Sequence, residues 1–368
     1  MPQDSQALYR GQGRQTEAGW RKISPVDPSP LTDPSKYMAP PELADAVNVA
    51  LDLGMPLLLT GEPGCGKSEL ASSIAWELGF PQLPGQTGRH AEPLRFTVKS
   101  DTQSNELFYR FDTLGRFHKK VDGTSHPREF ITYDALGKAI LYAWGRDRLA
   151  AEWGEKKCLA LMRKTDWDEL PAESLRSVVL IDEIDKAPRE VPNDILNEIQ
   201  TLGFKIPELY EHFPDELAIG KVNECRPVII ITSNDERPLP KAFLRRCVYY
   251  HMQPPPYRGE NWSIESIVKT RLGERFEKSL QAAEQKRLLD EAIGLYEHLR
   301  LSDLEKKPNI AELLAWVYYL SRQKSETGEA PDKTHHLFQR SAQTALLKLR
   351  KDQDKGKALI EEWVKAKG

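Results

Sequence analysis

Gly61–Ser68 reads GEPGCGKS, between an apolar run ending at Thr60 and the helix-compatible ELASSIAWEL. A GxxxxGK[ST] pattern between a strand and a helix has the make-up of a phosphate cradle. Gly61, Gly64 and Gly66 let backbone N–H groups turn inward, and the helix start adds the positive end of its dipole. Lys67 then reaches the β- and γ-phosphates, and Ser68 offers a hydroxyl to Mg²⁺. Glu62, Pro63 and Cys65 within the loop, and Glu69 just after it, complete the nucleotide-contacting set.

Two carboxylates follow another apolar run. VVLIDEIDK puts Asp182 and Glu183 directly after Val178–Ile181, at the carboxyl end of a strand, where ligands of open α/β sheets bind. Asp182 is assigned to the Mg²⁺ shell and Glu183 to orienting the water that attacks a γ-phosphoryl group. RPVIIITSN ends in Asn234, whose amide bonds to a phosphate oxygen and to an attacking water. LPKAFLRRCVYY carries Arg245 and Arg246. A guanidinium fork suits transferring phosphoryl oxygens, although by chemistry alone two adjacent arginines are more often a solvated or salt-bridged pair.

These residues need a sheet to hold them. Pro56–Thr60, Leu94–Val98, Val178–Ile181 and Val228–Thr232 are short apolar runs separated by segments long enough for crossover helices, as in buried parallel strands. VYYHM adds a further β-prone segment. Helix is expected from Glu42 to a glycine stop at Gly54. GRFHKKV, DGTSH and REFITY suggest a hairpin inserted into the sheet domain, and the segment from Leu141 to Ser177 reads as irregular helices. Beyond the prolines at 254–256 the strand signals stop. Ile264–Arg271, Leu280–Arg300, Asn309–Arg322 and His336–Lys365 all read as helical.

The chain has 368 residues, 52 basic against 55 acidic, for a net charge of −3. The length suits two domains, and the balance argues against a bare polyanion binder. Cys65, Cys158, Cys225 and Cys247 show no zinc or disulfide spacing. Without a signal-like start or an 18-residue apolar run, a cytoplasmic location with no membrane partner is expected. Residues 1–36, rich in proline and polar residues, read as an extended arm. His335 and His336 are expected on different helix faces, and Trp316, Tyr318 and Tyr319 in a core.

The succession GEPGCGKS, VVLIDEIDK, RPVIIITSN and LPKAFLRRC resembles the AAA+ ATPases, specifically the MoxR-like branch with a dynein-related AAA core, over about Tyr37 to Leu320. The resemblance implies an α/β fold: a P-loop NTPase doubly wound parallel sheet (37–256) followed by a helical lid with C-terminal helices (257–368). It makes Lys67 and Ser68 Walker A residues, Asp182 and Glu183 Walker B residues and Asn234 sensor 1. Arg246 takes the arginine-finger position, with Arg245 alongside. Residues 111–133 look like a helix-2 insert hairpin and 201–224 like a pre-sensor-1 insertion, both facing a pore or partner. Lys306–Leu320 is similar to the sensor-2 segment, but Asn309, Ile310 and Ala311 stand where many relatives have arginine, leaving Lys306 or Lys307 as substitutes. The base pocket is expected near Tyr37–Pro40.

What the resemblance implies is ATP hydrolysis with Mg²⁺ in a homo-oligomeric, hexameric ring that remodels a protein, beside a von Willebrand A domain protein supplied in trans. The competing expectations are a nucleic-acid-directed motor using His118, Lys119, Lys120, His126 and Arg128 on the hairpin, and a nucleotide-sensing scaffold. A salt-sensitive association with DNA would distinguish the former.

Overall fold

The computed structural model describes residues 29–120, 126–209, 217–218, 225–259, 261–323 and 329–367. Five strands, β1 (Leu57–Gly61), β2 (Leu94–Thr97), β3 (Val178–Asp182), β4 (Val228–Thr232) and β5 (Val248–Met252), form one parallel sheet in the order β2-β3-β4-β1-β5. The three central strands are buried along their whole length, which is why their sequences are apolar without alternation.

The pleat divides these residues between two cores. Leu58, Val179, Ile181, Ile229 and Ile231 face α3 (Ala135–Trp144), of which only Lys138 escapes burial. Leu57, Leu59, Val178, Leu180 and Ile230 face α1 (Pro41–Leu53) and α2 (Lys67–Glu77), against Leu43, Leu70 and Ile74. The chain leaves β1 for the far edge at β2, returns through β3 and β4, and adds β5 on the other side of β1. The connections therefore diverge between β1 and β4, the switch point where doubly wound folds open a crevice.

The insert differs from its sequence reading. Tyr109–Phe111 pairs antiparallel with Ile131–Tyr133, but GRFHKKV, expected as a β-prone arm of the hairpin, falls for its residues 115–120 within the helix Thr113–Lys120. Asp112 explains the change, because its carboxylate accepts the Gly115 N–H at 2.8 Å and caps the turn. Pro127 likewise starts a 3₁₀ turn over Pro127–Phe130. The turn residues 121–125 and the side chains of His118, Lys119 and Lys120 lie outside the described residues. Residues 191–201 form two short helices, and Gly203–Phe204 pairs with Leu217–Ala218; the remainder of 210–224 is outside the description.

Residues 146–153, 155–161 and 164–169 are helices whose Leu149, Cys158, Leu161 and Trp167 join the α3 core. Residues 29–36 are not extended: Ser29–Thr32 is helical and Pro34–Lys36 a 3₁₀ turn. Asp33 caps that turn through Ser35 N–H, and Arg271 donates to the Leu31 and Asp33 carbonyls. Residues 1–28 of the expected arm lie outside the described residues.

Five helices, α4 (Ile264–Ser279), α5 (Ala282–Leu301), α6 (Ile310–Leu320), α7 (His336–Leu346) and α8 (Arg350–Ala366), gather on a separate core around Tyr296, Trp316 and Phe338. The single helix expected from His336 onward is broken between α7 and α8. Leu347, fully buried, turns inward at the break onto Gly356, where a Cβ would stand 2.0 Å from the leucine Cδ1. His335 is the N-cap of α7 and stacks on His336 at 4.5 Å, so the two rings do not take opposite helix faces. Trp316 is core, whereas Tyr319 is 39% exposed. Among the described residues, no helix is long and apolar enough to cross a membrane.

Candidate active site

The carboxyl ends of β1, β3 and β4 bring Lys67, Ser68, Asp182, Glu183 and Asn234 together around one cavity of about 220 Å³, with Pro63, Gly64, Gly66 and Glu69 of the marked loop also in its wall. Gly64 (φ 77°) and Gly66 (φ 94°) take left-handed conformations that let the chain wrap the cradle. Lys67, 6% exposed, donates from Nζ to the Gly61 and Glu62 carbonyls at 2.8 and 3.0 Å. Burial pushes the Cys65 thiol up against a smaller opposing pull from Lys67, which makes it a weak nucleophile at neutral pH.

Asp182 is the hub. Its Oδ1 accepts the Ser68 hydroxyl at 2.7 Å and the Thr232 hydroxyl at 2.6 Å, and its Oδ2 faces Arg95 at 3.3 Å. This all-oxygen grouping of a hydroxyl and a carboxylate beside a phosphate cradle fits Mg²⁺, which keeps several waters and takes few protein ligands. Ser68 and Asp182 are the residues that would hold it.

Glu183 follows in a left-handed conformation (φ 61°), its N–H on Thr232 Oγ1 at 3.0 Å. That turn lifts its carboxylate out of the strand line into the cavity. Oε1 accepts from Asn234 Nδ2 at 3.4 Å, and Oε2 pairs with Lys186 at 2.7 Å. The hydrogen bond to Glu183 raises the Lys186 pKa. Asp185, 2% exposed, accepts the Asn234 and Glu236 N–H groups on Oδ2 and so fixes the loop that carries Asn234.

Sequence reasoning missed Thr232, Asp185, Lys186 and Arg95. Thr232 ends the apolar run of β4, and Asp185 and Lys186 belong to VVLIDEIDK, so the first three lay inside the quoted motifs. Arg95 carried no local signal, since only the β2–β3 register sets Thr97 beside Asp182.

The lid closes on the loop. Arg300 pairs with Glu62 at 3.0 Å, Arg271 with Glu69, and Asn309 packs on Gly64. Lys306 and Lys307 are exposed, and the Lys306 N–H is held by Asp352 at 2.8 Å. The described lid contacts to the loop thus come from Arg271, Arg300 and Asn309, and neither lysine side chain is among them. Tyr37 lies against Gly66 and under the Arg271 guanidinium.

Arg245 and Arg246 are not part of this cluster. They precede β5 at the amino end of the sheet, a strand's length of about 17 Å from the cradle. Arg246 donates to Gln200 Oε1 at 3.0 Å and to the Ala242 carbonyl.

The family model for the AAA domain of the dynein-related subfamily matches residues 56–247, from the start of β1 through the arginine pair. A comparison with curated proteins finds no match.

Proposed function

The chain belongs to the dynein-related subfamily of AAA domains, and from that premise we propose that it is an ATP hydrolase whose copies complete one another's active sites. The observation that carries the reading is the convergence of Lys67, Ser68, Asp182, Glu183 and Asn234 on one cavity at the sheet's switch point. Lys67 exchanges the Gly61 and Glu62 carbonyls for phosphate oxygens, and the inward amides of the loop hold the rest of the chain of phosphates. Ser68 and Asp182 would hold Mg²⁺, which would supply charge neutralisation for the phosphates when bound. Glu183, released from Lys186, accepts a hydrogen bond from the attacking water, and Asn234 fixes that water's position.

Arg246 cannot reach its own cradle across the sheet, so its place in the reaction is on the nucleotide of an adjacent copy. The finer placement, a MoxR-like motor in a hexameric ring acting with a von Willebrand A domain protein, belongs to the same proposal. It is supported by the insert between Tyr109 and Tyr133, whose helix leaves Leu114 and Phe117 73% and 68% exposed for a partner protein. Of the basic residues that would make this insert a nucleic-acid surface, Arg128 turns inward to the Leu159 carbonyl, which favours the protein-remodelling reading.

The test is steady-state ATP hydrolysis against protein concentration, with particle mass followed in parallel and Glu183→Gln as the blank. Turnover per chain that rises with assembly supports shared sites. A rate equal to the blank at every concentration rejects the hydrolase.

A further inference from the structure

At the amino end of the sheet, opposite the phosphate cradle, lies a second cavity of about 490 Å³ walled by Arg176, Arg226, Arg245 and Arg246 together with Gln200 and Gly54. Among the described residues no carboxylate lies within ion-pairing distance of Arg226, Arg245 or Arg246. Asp52 lines the same wall without pairing with them. Arg226 is half-buried, and its one described hydrogen bond runs from Nη2 to the Gln200 carbonyl at 3.2 Å. Its stem is pressed on Gly54, where a Cβ would stand 3.3 Å from Arg226 Cδ, and where a φ of 60° favours glycine.

Gln200 therefore holds two guanidinium groups at once, Arg226 by its main-chain oxygen and Arg246 by its side-chain oxygen at 3.0 Å. A half-buried cation met, among the described residues, only by a carbonyl dipole is incompletely compensated. Consistent with that, burial lowers the Arg226 pKa. The chemistry that completes such a pocket is an anion with several oxygens in a fixed array, which guanidinium forks match two bonds at a time.

We propose that Arg226 is a second cation of the surface that receives the triphosphate of a neighbouring copy, set beside Arg246 by Gln200. This rests on the hydrolase reading above, which places Arg246 on the neighbour's nucleotide and gives Arg226 no part. Gln200 sits on the short helix that follows the Glu183 turn, so the same segment that leaves one copy's site positions the cations offered to the next.

The experiment measures self-association by particle mass in the Glu183→Gln background, which separates binding from turnover, with ATP and Mg²⁺, with inorganic triphosphate, or with neither. Melting temperature and the ATP affinity of the dilute chain serve as controls. Adding Arg226→Gln should move the ATP-dependent association midpoint to at least tenfold higher concentration. Arg226→Lys, which keeps the charge and loses the fork, should fall between. An unchanged midpoint for a folded Arg226→Gln overturns the role of Arg226. Association driven equally by inorganic triphosphate overturns the neighbour's nucleotide as its source. ATP binding and hydrolysis by the unsubstituted chain without any association overturns the shared surface and leaves the hydrolase standing, whereas absence of ATP binding removes the hydrolase reading and this one together.

Discussion

The side chain of Asn309 lies directly on Gly64 of the phosphate loop: a Cβ on that glycine would stand 2.7 Å from Asn309 Cγ and 2.8 Å from its Nδ2. The same side chain caps α6, its Oδ1 accepting the Glu312 N–H at 2.8 Å while Glu312 returns the bond to the Asn309 N–H. The lid is thus registered on the cradle by a helix cap that leaves no room for a side chain beneath it. Gly64→Ala should lower ATP affinity at least tenfold, through both the strained φ of 77° and the displaced cap. Adding Asn309→Gly should restore part of that loss by removing the clash alone. Titration with a fluorescent ATP analogue measures both, and a Gly64→Ala chain of normal affinity would remove the contact from any role in binding.

Lys67→Ala and Glu183→Gln should separate binding from chemistry. The first loses the ammonium held at 2.8 Å from Gly61 O at the floor of the cradle, and tight nucleotide binding should vanish with it. The second keeps the cradle and should bind ATP while turnover falls at least a hundredfold, in line with loss of a positioned base. Equilibrium binding and phosphate release on the same preparations distinguish the two. Full turnover by Glu183→Gln would withdraw that residue from water activation.

Lys186 restrains the same carboxylate. Its Nζ sits 2.7 Å from Glu183 Oε2, so one of the two oxygens is spent on the pair. Lys186→Met should raise kcat by roughly two- to fivefold with ATP affinity unchanged, the scale of a solvent-screened ion pair. The pKa of Lys186 is raised by its hydrogen bond to Glu183. The pair is therefore complete below the ordinary lysine range and lost only as pH rises through the raised value. The effect of Lys186→Met should accordingly be the same at pH 7 and pH 9, and a gain confined to one of them would contradict the argument.

The central sheet and the cradle were legible because their signals are local. Apolar runs such as LLLTG and VVLID admit few readings between glycine-rich turns, and Asp182, Glu183 and Asn234 all lie at or within two residues of the end of such a run. What failed had causes outside the pattern. GRFHKKV beside a turn-rich segment suggests a hairpin arm, but Asp112 caps the chain into helix from Thr113. The break between α7 and α8 comes from Leu347 seeking Gly356 nine residues on. The sequence marks Asn309, Ile310 and Ala311 only by the arginine they lack, because the contact of Asn309 with Gly64 joins positions 245 residues apart, a separation that no window along the chain spans.

Gly137 tests the packing of the insert. It lies on α3 with its Cα facing the Phe108 main chain, and a Cβ there would stand 2.0 Å from the Phe108 carbonyl oxygen. That oxygen already accepts the Asp134 N–H at 2.8 Å, so it has no freedom to withdraw. Alanine at this position gains about 1 kcal/mol in helix propensity, yet forcing backbone apart in a packed core costs on the order of 3 kcal/mol. Gly137→Ala should therefore be net destabilising by about 2 kcal/mol in urea unfolding. A stabilised variant would show that the strand pair Tyr109–Phe111 and Ile131–Tyr133 is free to shift.

Arg271 ties three parts of the chain through one guanidinium, and its removal should act on the strap that runs from Leu31 to Tyr37. The residue is 4% exposed, donates to the Leu31 and Asp33 carbonyls, pairs with Glu69 beside Ser68, and lies over the Tyr37 ring. Arg271→Met leaves two strap carbonyls without their donor and Glu69 without its cation. Loss of a buried partner costs about 3–5 kcal/mol, reduced here because Glu69 keeps 44% of its side chain in water. Lys36 also pairs with Glu274 on α4 at 3.0 Å, so the same helix holds the strap at a second point. Glu69→Gln, by contrast, spares the two carbonyl bonds and should cost well under half as much. Limited trypsin digestion reads the difference: cleavage after Lys36 should accelerate at least tenfold in Arg271→Met and only slightly in Glu69→Gln. Equal acceleration in both would place the strap's anchorage in the ion pair with the cradle helix instead of in the carbonyls of Leu31 and Asp33.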